Sequence, residues 1–232
     1  MPFLTSSDDV HELYLGTEGV ELDEANPENR FAVTWIETVQ ELLSQVAAEP
    51  SKPLVISATG KFFTNGLDTD FVAAEASRLP WYLDRVHELY SAVLTLPVPT
   101  VAAINGHAFG AGAMLALCAD YRVMRTERGF WSLPEAALNM PFTRGMAALV
   151  RTRVPDATAT EAMLTSKRYG ADDAVAAGIV EEAVPVEGLL DRARAVAAER
   201  ASLAGPNQRV IKRGLRAPLL ADLAVPTPAT LL

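Results

Sequence analysis

The sequence has 232 residues, a formal net charge of −9, half of its residues hydrophobic and 21% charged, which suits one sizeable globular core. That charge, with no dense Lys/Arg stripe among aromatics, excludes sequence-independent nucleic-acid binding. The single cysteine, Cys118, excludes an intrachain disulfide and a cysteine-based metal cluster and points to the cytoplasm; neither a membrane span nor an export signal is visible.

Residues 10–15 read as a strand, followed by an acidic, turn-rich link around Asp23, Asn26 and Pro27. Phe31, Trp35, Val39, Leu42, Leu43 and Val46 recur at three-and-four spacing, the apolar stripe of a helix that ends before Pro50. A second buried strand is expected at 53–59, running into GKFFTNGLDTD, where Asn65-Gly66 breaks the chain. A short helix over 68–77 and a longer one from Pro80 to Pro97 follow. Residues 100–105 are apolar and β-branched, a third buried strand, and they lead through a glycine-rich turn into an apolar helix. Short strands are expected at 121–125 and 130–133, and helices at 142–154 and 158–166, the second capped by Asp156 or Thr158. A short helix ended by Gly178 and a strand occupy 171–185, and amphipathic helices occupy 187–203 and 207–215. The tail from Val225 is expected to fray. This alternation implies an α/β fold with a parallel-type sheet, a core over 1–187 and a helical region over 188–232.

The stretch TVAAINGHAFGAGAMLALCAD, residues 100–120, holds the first chemical signal. Gly110 and Gly112 flank Ala111 where a helix opens, and the first amides of a helix have no partner inside it, so they can hold an oxygen anion. The alternative is that these glycines only allow tight helix packing. The spacing fits neither a dinucleotide fingerprint nor a P-loop. His11, His87 and His107 are scattered, with no metal or nucleophile motif; His107, in the key turn, reads as a structural residue or as a base. Glu135 is a lone carboxylate in the otherwise uncharged FWSLPEAALNM. In an apolar pocket its pKa would rise and make it a stronger base; at a helix start it would only complement the dipole.

GKFFTNGLD and INGHAFGAGAMLALCADYRV, in that order and followed by Pro134-Glu135, resemble the crotonase, or enoyl-CoA hydratase/isomerase, superfamily, whose motifs are A-F-S-A-G-x-D and N-G-x-A-x-G-G-G. The resemblance covers about residues 10–215 and looks closer to the Δ3,Δ2-enoyl-CoA isomerases. It implies a spiral of ββα units with a helical C-terminal region, and a homotrimer or dimer of trimers. It implies an acyl-CoA substrate, with coenzyme A entering as part of that substrate and no metal or other cofactor. The Leu67 and Ala111 amides would form an oxyanion hole and Glu135 would be the base. The positions implied to contact substrate are Phe63, Asn65, Gly66, Leu67, Asp68, Gly110, Ala111, Met114, Leu133 and Pro134, with the Asp68 carboxylate, like that of Asp120, read as structural. Ala111 stands where the family usually has glycine, and Asn65 where it has alanine.

Family hydratases carry a glutamate at the position of Met114 as well as at that of Glu135. A thioether cannot exchange protons, so water addition would lack half of its machinery. One glutamate suits a double-bond shift instead, with Met114 lining the acyl pocket, although ordinary helix core explains a methionine there too. The pocket would be sized by Trp81, Phe109, Met114, Trp131, Met140 and Phe142. A hydratase or other crotonase chemistry, a non-catalytic acyl-CoA binder and a helix-mediated interaction protein are the alternatives.

Overall fold

The computed structural model describes residues 1–21 and 23–230. The larger sheet contains β1 (Phe3–Ser6), β2 (His11–Tyr14), β3 (Leu54–Ser57), β5 (Thr100–Ile104), β7 (Tyr121–Arg125) and β10 (Glu182–Val184), in the spatial order β1-β2-β3-β5-β7-β10. Only the β1/β2 pair is antiparallel. A smaller sheet holds β4 (Phe62–Thr64), β6 (His107–Phe109), β8 (Trp131–Ser132) and β9 (Arg168–Tyr169), parallel as far as β8 and antiparallel at β9.

The chain passes three times from the large sheet to the small one and then into helix. β3 and β4 lead to α2 (Thr69–Ala74) and α3 (Leu79–Leu94); β5 and β6 lead to α4 (Ala111–Cys118); β7 and β8 lead to α5 (Arg144–Arg153). This is the ββα spiral expected from the resemblance. The starting strands lie at 54, 100 and 121, so the unit recurs without a fixed sequence period.

β3 and β5 are buried along their whole length because both faces of the sheet are covered, which is why they read as continuous apolar runs. Leu54, Ile56, Ala102 and Ile104 face the main core with α3, α4 and α1 (Val33–Ala48). Val55, Val101, Ala103 and Val123 face Leu189, Ala193 and Val196 of α8 (Val186–Ala198). The helical region expected from 188 therefore begins with a helix that closes one face of the large sheet.

Asp120, just beyond α4, ties the next helix down. Its carboxylate accepts from the Thr100 amide (2.9 Å) and pairs with Lys212 Nζ (2.5 Å) on α9 (Pro206–Leu215) and with Arg216 Nη2 (2.7 Å). Both cations are almost completely buried, so the structural reading of Asp120 holds.

Several local expectations change. β4 and β6 lie inside segments that read as turns, and β1, β9 and α10 (Ala217–Leu223) carry too few residues for a period to register. Thr158 and Asp156 do not cap α6 (Asp156–Thr165); its N-cap is Pro155, and the Thr158 hydroxyl donates instead to Ala177 O at 2.7 Å. The tail is anchored where fraying was expected, with Thr227 buried and its amide donating to Asp84 Oδ1 at 2.9 Å. Residues 231–232 lie outside the described part.

Candidate active site

β4 and β6 are parallel neighbours, Phe62 opposite His107 and Thr64 opposite Ala108, so the turns that follow them emerge side by side. The contact is close enough to require glycine. A Cβ on Gly66 would lie 2.7 Å from Phe109 O and 2.9 Å from the Ala111 amide nitrogen, and the residue's φ of +79° is itself one that side-chain-bearing residues avoid. Gly66→Ala should therefore push the two turns apart. The expected result is a melting temperature lower by several degrees with at least tenfold slower turnover, and unchanged values for both would show that the turns do not press together.

The amides of the first turn are almost all committed. Asn65 N–H donates to Glu28 O, Gly66 N–H to Thr64 Oγ1 and Asp68 N–H to Tyr82 Oη, at 2.8–3.0 Å. Among the described residues, Leu67 N–H has no protein acceptor, and neither has Ala111 N–H, which opens α4. Two amides that line the cavity from touching turns are thus without a protein acceptor.

Glu135 completes the group. A Cβ on Gly110, whose φ is +51°, would lie 3.2 Å from Glu135 Oε1, so the carboxyl group sits directly over the second turn. Its Oε2 is buried without a hydrogen-bond partner. Burial pushes the carboxyl up to about 7, opposed only in part by a hydrogen bond from its own main chain. The dipole alternative has no helix behind it: residues 135–139 form turns, closed by Leu138 N–H to Pro134 O at 3.0 Å and Met140 N–H to Glu135 O at 2.9 Å.

Asn65, Leu67, Gly110, Ala111, Pro134 and Glu135 line one cavity with an apolar wall built from Val72, Leu79, Leu83, Leu138, Met140 and Met146. Glu135 is the one ionisable residue in that lining among the described residues. The hydroxyl of Thr143, also in the wall, is hydrogen-bonded to His87 Nε2 at 2.7 Å and caps α5 by accepting from Met146 N–H.

Other expected contacts lie elsewhere. Met114 is completely buried in α4 and does not line the cavity, so its expected place in the acyl pocket is corrected to helix core. α4 is apolar all round because every one of its residues is buried. Phe63 and Leu133 are likewise core residues, and neither lines the cavity. Asp68 caps α2 by accepting from the amides of Asp70 and Phe71. Gly66 is the contact between turns rather than part of the wall. Trp131 is buried and donates to Ala113 O at 3.0 Å. Of the residues expected to size the pocket, Met140 alone lines it.

His107 stands outside the cavity in an aromatic cluster with Phe62, Phe109 and Phe130. Burial, reinforced by Lys61, Arg168 and Arg128, lowers its pKa. Leu79 and Leu83 were visible as part of an apolar helical stripe, but periodicity does not distinguish a cavity wall from solid core. Nothing local marks Thr143 or Met146.

Residues 16–224 match the family model for enoyl-CoA hydratase/isomerase. A peroxisomal enoyl-CoA delta isomerase of Arabidopsis thaliana is 35% identical over 165 residues, 67% of this chain and 69% of that protein. A probable enoyl-CoA hydratase of Mycobacterium bovis is 32% identical over 199 residues, 81% of this chain and 69% of that one. Among solved structures, a probable enoyl-CoA hydratase of Mycobacterium tuberculosis superposes with a TM-score of 0.85 at 23% identity, covering 96% of this chain and 91% of that chain, and so shares the fold. With the spiral of ββα units in place and most of its length matched, the chain belongs to the enoyl-CoA hydratase/isomerase, or crotonase, superfamily of enzymes.

Proposed function

We propose that this enzyme is a Δ3,Δ2-enoyl-CoA isomerase. The observation that carries the reading is the composition of the cavity: one titratable group, Glu135, beside two uncommitted amides, Leu67 and Ala111. Glu135 as carboxylate takes a proton from C2 of a 3-enoyl thioester. The carbonyl oxygen gains negative charge as the dienolate forms, and the two amides stabilise it, an effect typically worth about 3–4 kcal/mol per donor. The protonated Glu135 then returns the proton at C4, leaving the double bond between C2 and C3. A carboxyl pushed up to about 7 serves both steps, since it is neither too weak to accept the proton nor too weak an acid to return it.

Hydration asks for a second acid–base group to handle water. The resemblance would put it at Met114, which is a thioether sealed in the core. The thioester makes the C2 proton acidic, so coenzyme A is needed only as part of the substrate.

The test offers trans-3-enoyl-CoA to the enzyme and follows the absorbance of the conjugated 2-enoyl thioester without coupling enzymes, with hydration of trans-2-enoyl-CoA assayed in parallel. Conjugation without hydration is expected. Hydration without conjugation would overturn the reading in favour of a hydratase, and neither activity would leave a non-catalytic acyl-CoA binder.

A further inference from the structure

Two buried tyrosines on α3 reach the two oxyanion turns separately. Tyr82 Oη accepts from Asp68 N–H at 2.8 Å and donates to Phe31 O at 2.8 Å. Tyr90 Oη donates to Ala111 O at 2.8 Å. Both side chains are completely buried, and they stand eight residues apart on one helix, roughly 12 Å along its axis.

The peptide planes they hold are the ones that immediately follow the two donors. The plane before Leu67 is fixed independently, because Gly66 O accepts from Phe31 N–H at 2.8 Å. The plane before Ala111 is fixed by Gly110 O, which accepts from Met114 N–H at 3.1 Å. Each donor residue is therefore pinned on both sides, once by the main chain and once by a tyrosine. Burial raises both phenols well above their ordinary value, so they remain protonated donors wherever the enzyme works.

We infer that Tyr82 and Tyr90 are positioning residues that set the spacing and aim of the Leu67 and Ala111 amides, with α3 as the rigid spacer between them. The inference rests on the proposed oxyanion role of those amides. Transition-state stabilisation by preorganised donors is sensitive to displacements well under 1 Å, whereas ground-state binding of a long thioester is spread over many contacts. Loss of one hydroxyl should therefore slow the chemical step and leave affinity nearly unchanged.

The test compares wild type with Tyr82→Phe and Tyr90→Phe, which keep the ring and its packing. Two readouts are taken: kcat and KM for conjugation of trans-3-enoyl-CoA, and the red shift of bound cinnamoyl-CoA, whose absorbance reports polarisation of the thioester carbonyl without turnover. Each variant is expected to lose about tenfold in kcat with KM within about twofold, and to show a smaller red shift than wild type. A variant that is unstable is read in the probe-saturated state, where ligand binding holds the fold. Wild-type kcat and an unchanged red shift in both variants, whatever their melting temperatures, would overturn the inference. If the wild type conjugates nothing, the isomerase reading falls, and the red shift alone still decides whether the tyrosines aim the amides.

Discussion

Glu135→Gln is expected to lower kcat for conjugation by about a thousandfold or more while leaving KM within a few-fold of wild type. The amide keeps the shape of the carboxyl group but cannot take the C2 proton, and no other ionisable residue lines the cavity among the described ones. The wild-type rate should carry the titration of this group. Because burial raises the folded-state carboxyl from 4.5 to about 7, the reactive carboxylate form accumulates only as pH rises through neutrality, and kcat/KM should climb on that limb.

Stability should move the other way. Between about pH 4.5 and 7 the folded enzyme binds a proton that the unfolded chain has released, so folding stability falls as pH rises across that window. The Gln variant lacks this dependence and should be more stable than wild type at pH 8, by about 1–2 kcal/mol once partial solvent contact of the side chain is allowed for. Rates from pH 5.5 to 9 and melting temperatures at pH 5 and 8 check both halves. A Gln variant of normal activity would remove Glu135 from the chemistry, and equal stabilities at pH 8 would mean that the carboxyl is better solvated than its position over Gly110 indicates.

The largest loss of stability is expected from Asp120→Asn. The substitution is nearly isosteric but leaves Lys212 and Arg216, 3% and 6% exposed, without a counter-charge. Breaking a buried pair by removing one partner typically costs about 3–5 kcal/mol, a large part of a domain's stability. Arg153 adds to the uncompensated charge, since it donates to Ala119 O beside the same carboxylate, whereas Arg122 keeps its own counter-charge in Glu181. Burial by itself would push the Asp120 carboxyl up, but the charges of Lys212 and Arg216 outweigh it and hold the group below its ordinary value. Its contribution is therefore complete above the usual carboxylate range and is lost as pH falls through the depressed value.

Urea unfolding at pH 7 measures the loss, and adding Lys212→Met to Asp120→Asn should recover part of it by removing one orphaned cation. A single variant within about 0.5 kcal/mol of wild type would mean that the cations find carbonyl or solvent partners instead. The Leu94 and Val98 carbonyls already accept from Arg216 and Lys212, and these are the groups that would have to take over.

The long elements were legible because they carry a period or a continuous apolar run. α1 and α3 repeat apolar residues at three-and-four spacing, and β3 and β5 are apolar without interruption. The unusual carboxylate was legible as well, because Glu135 is the only charge in its segment. Of the small sheet, β8 was legible inside the strand expected at 130–133. β4, β6 and β9 have two or three residues each, and β4 and β6 lie in segments dominated by turn-forming residues, so no pattern precedes the pairing that creates them.

The amino-acid order by itself determined the buried strands, the helices that cover them, the glycines where the chain must turn tightly and the lone carboxylate, Glu135, in an uncharged segment. Tertiary structure alone decided that Gly66 meets Ala111, that Glu135 lies over Gly110, that Met114 belongs to the core and that two tyrosines of one helix hold both turns. The physical reason is range. Periodicity and turn chemistry act over a few residues, whereas each of these contacts joins segments tens of residues apart, and the partner becomes definite only when the sheets pack.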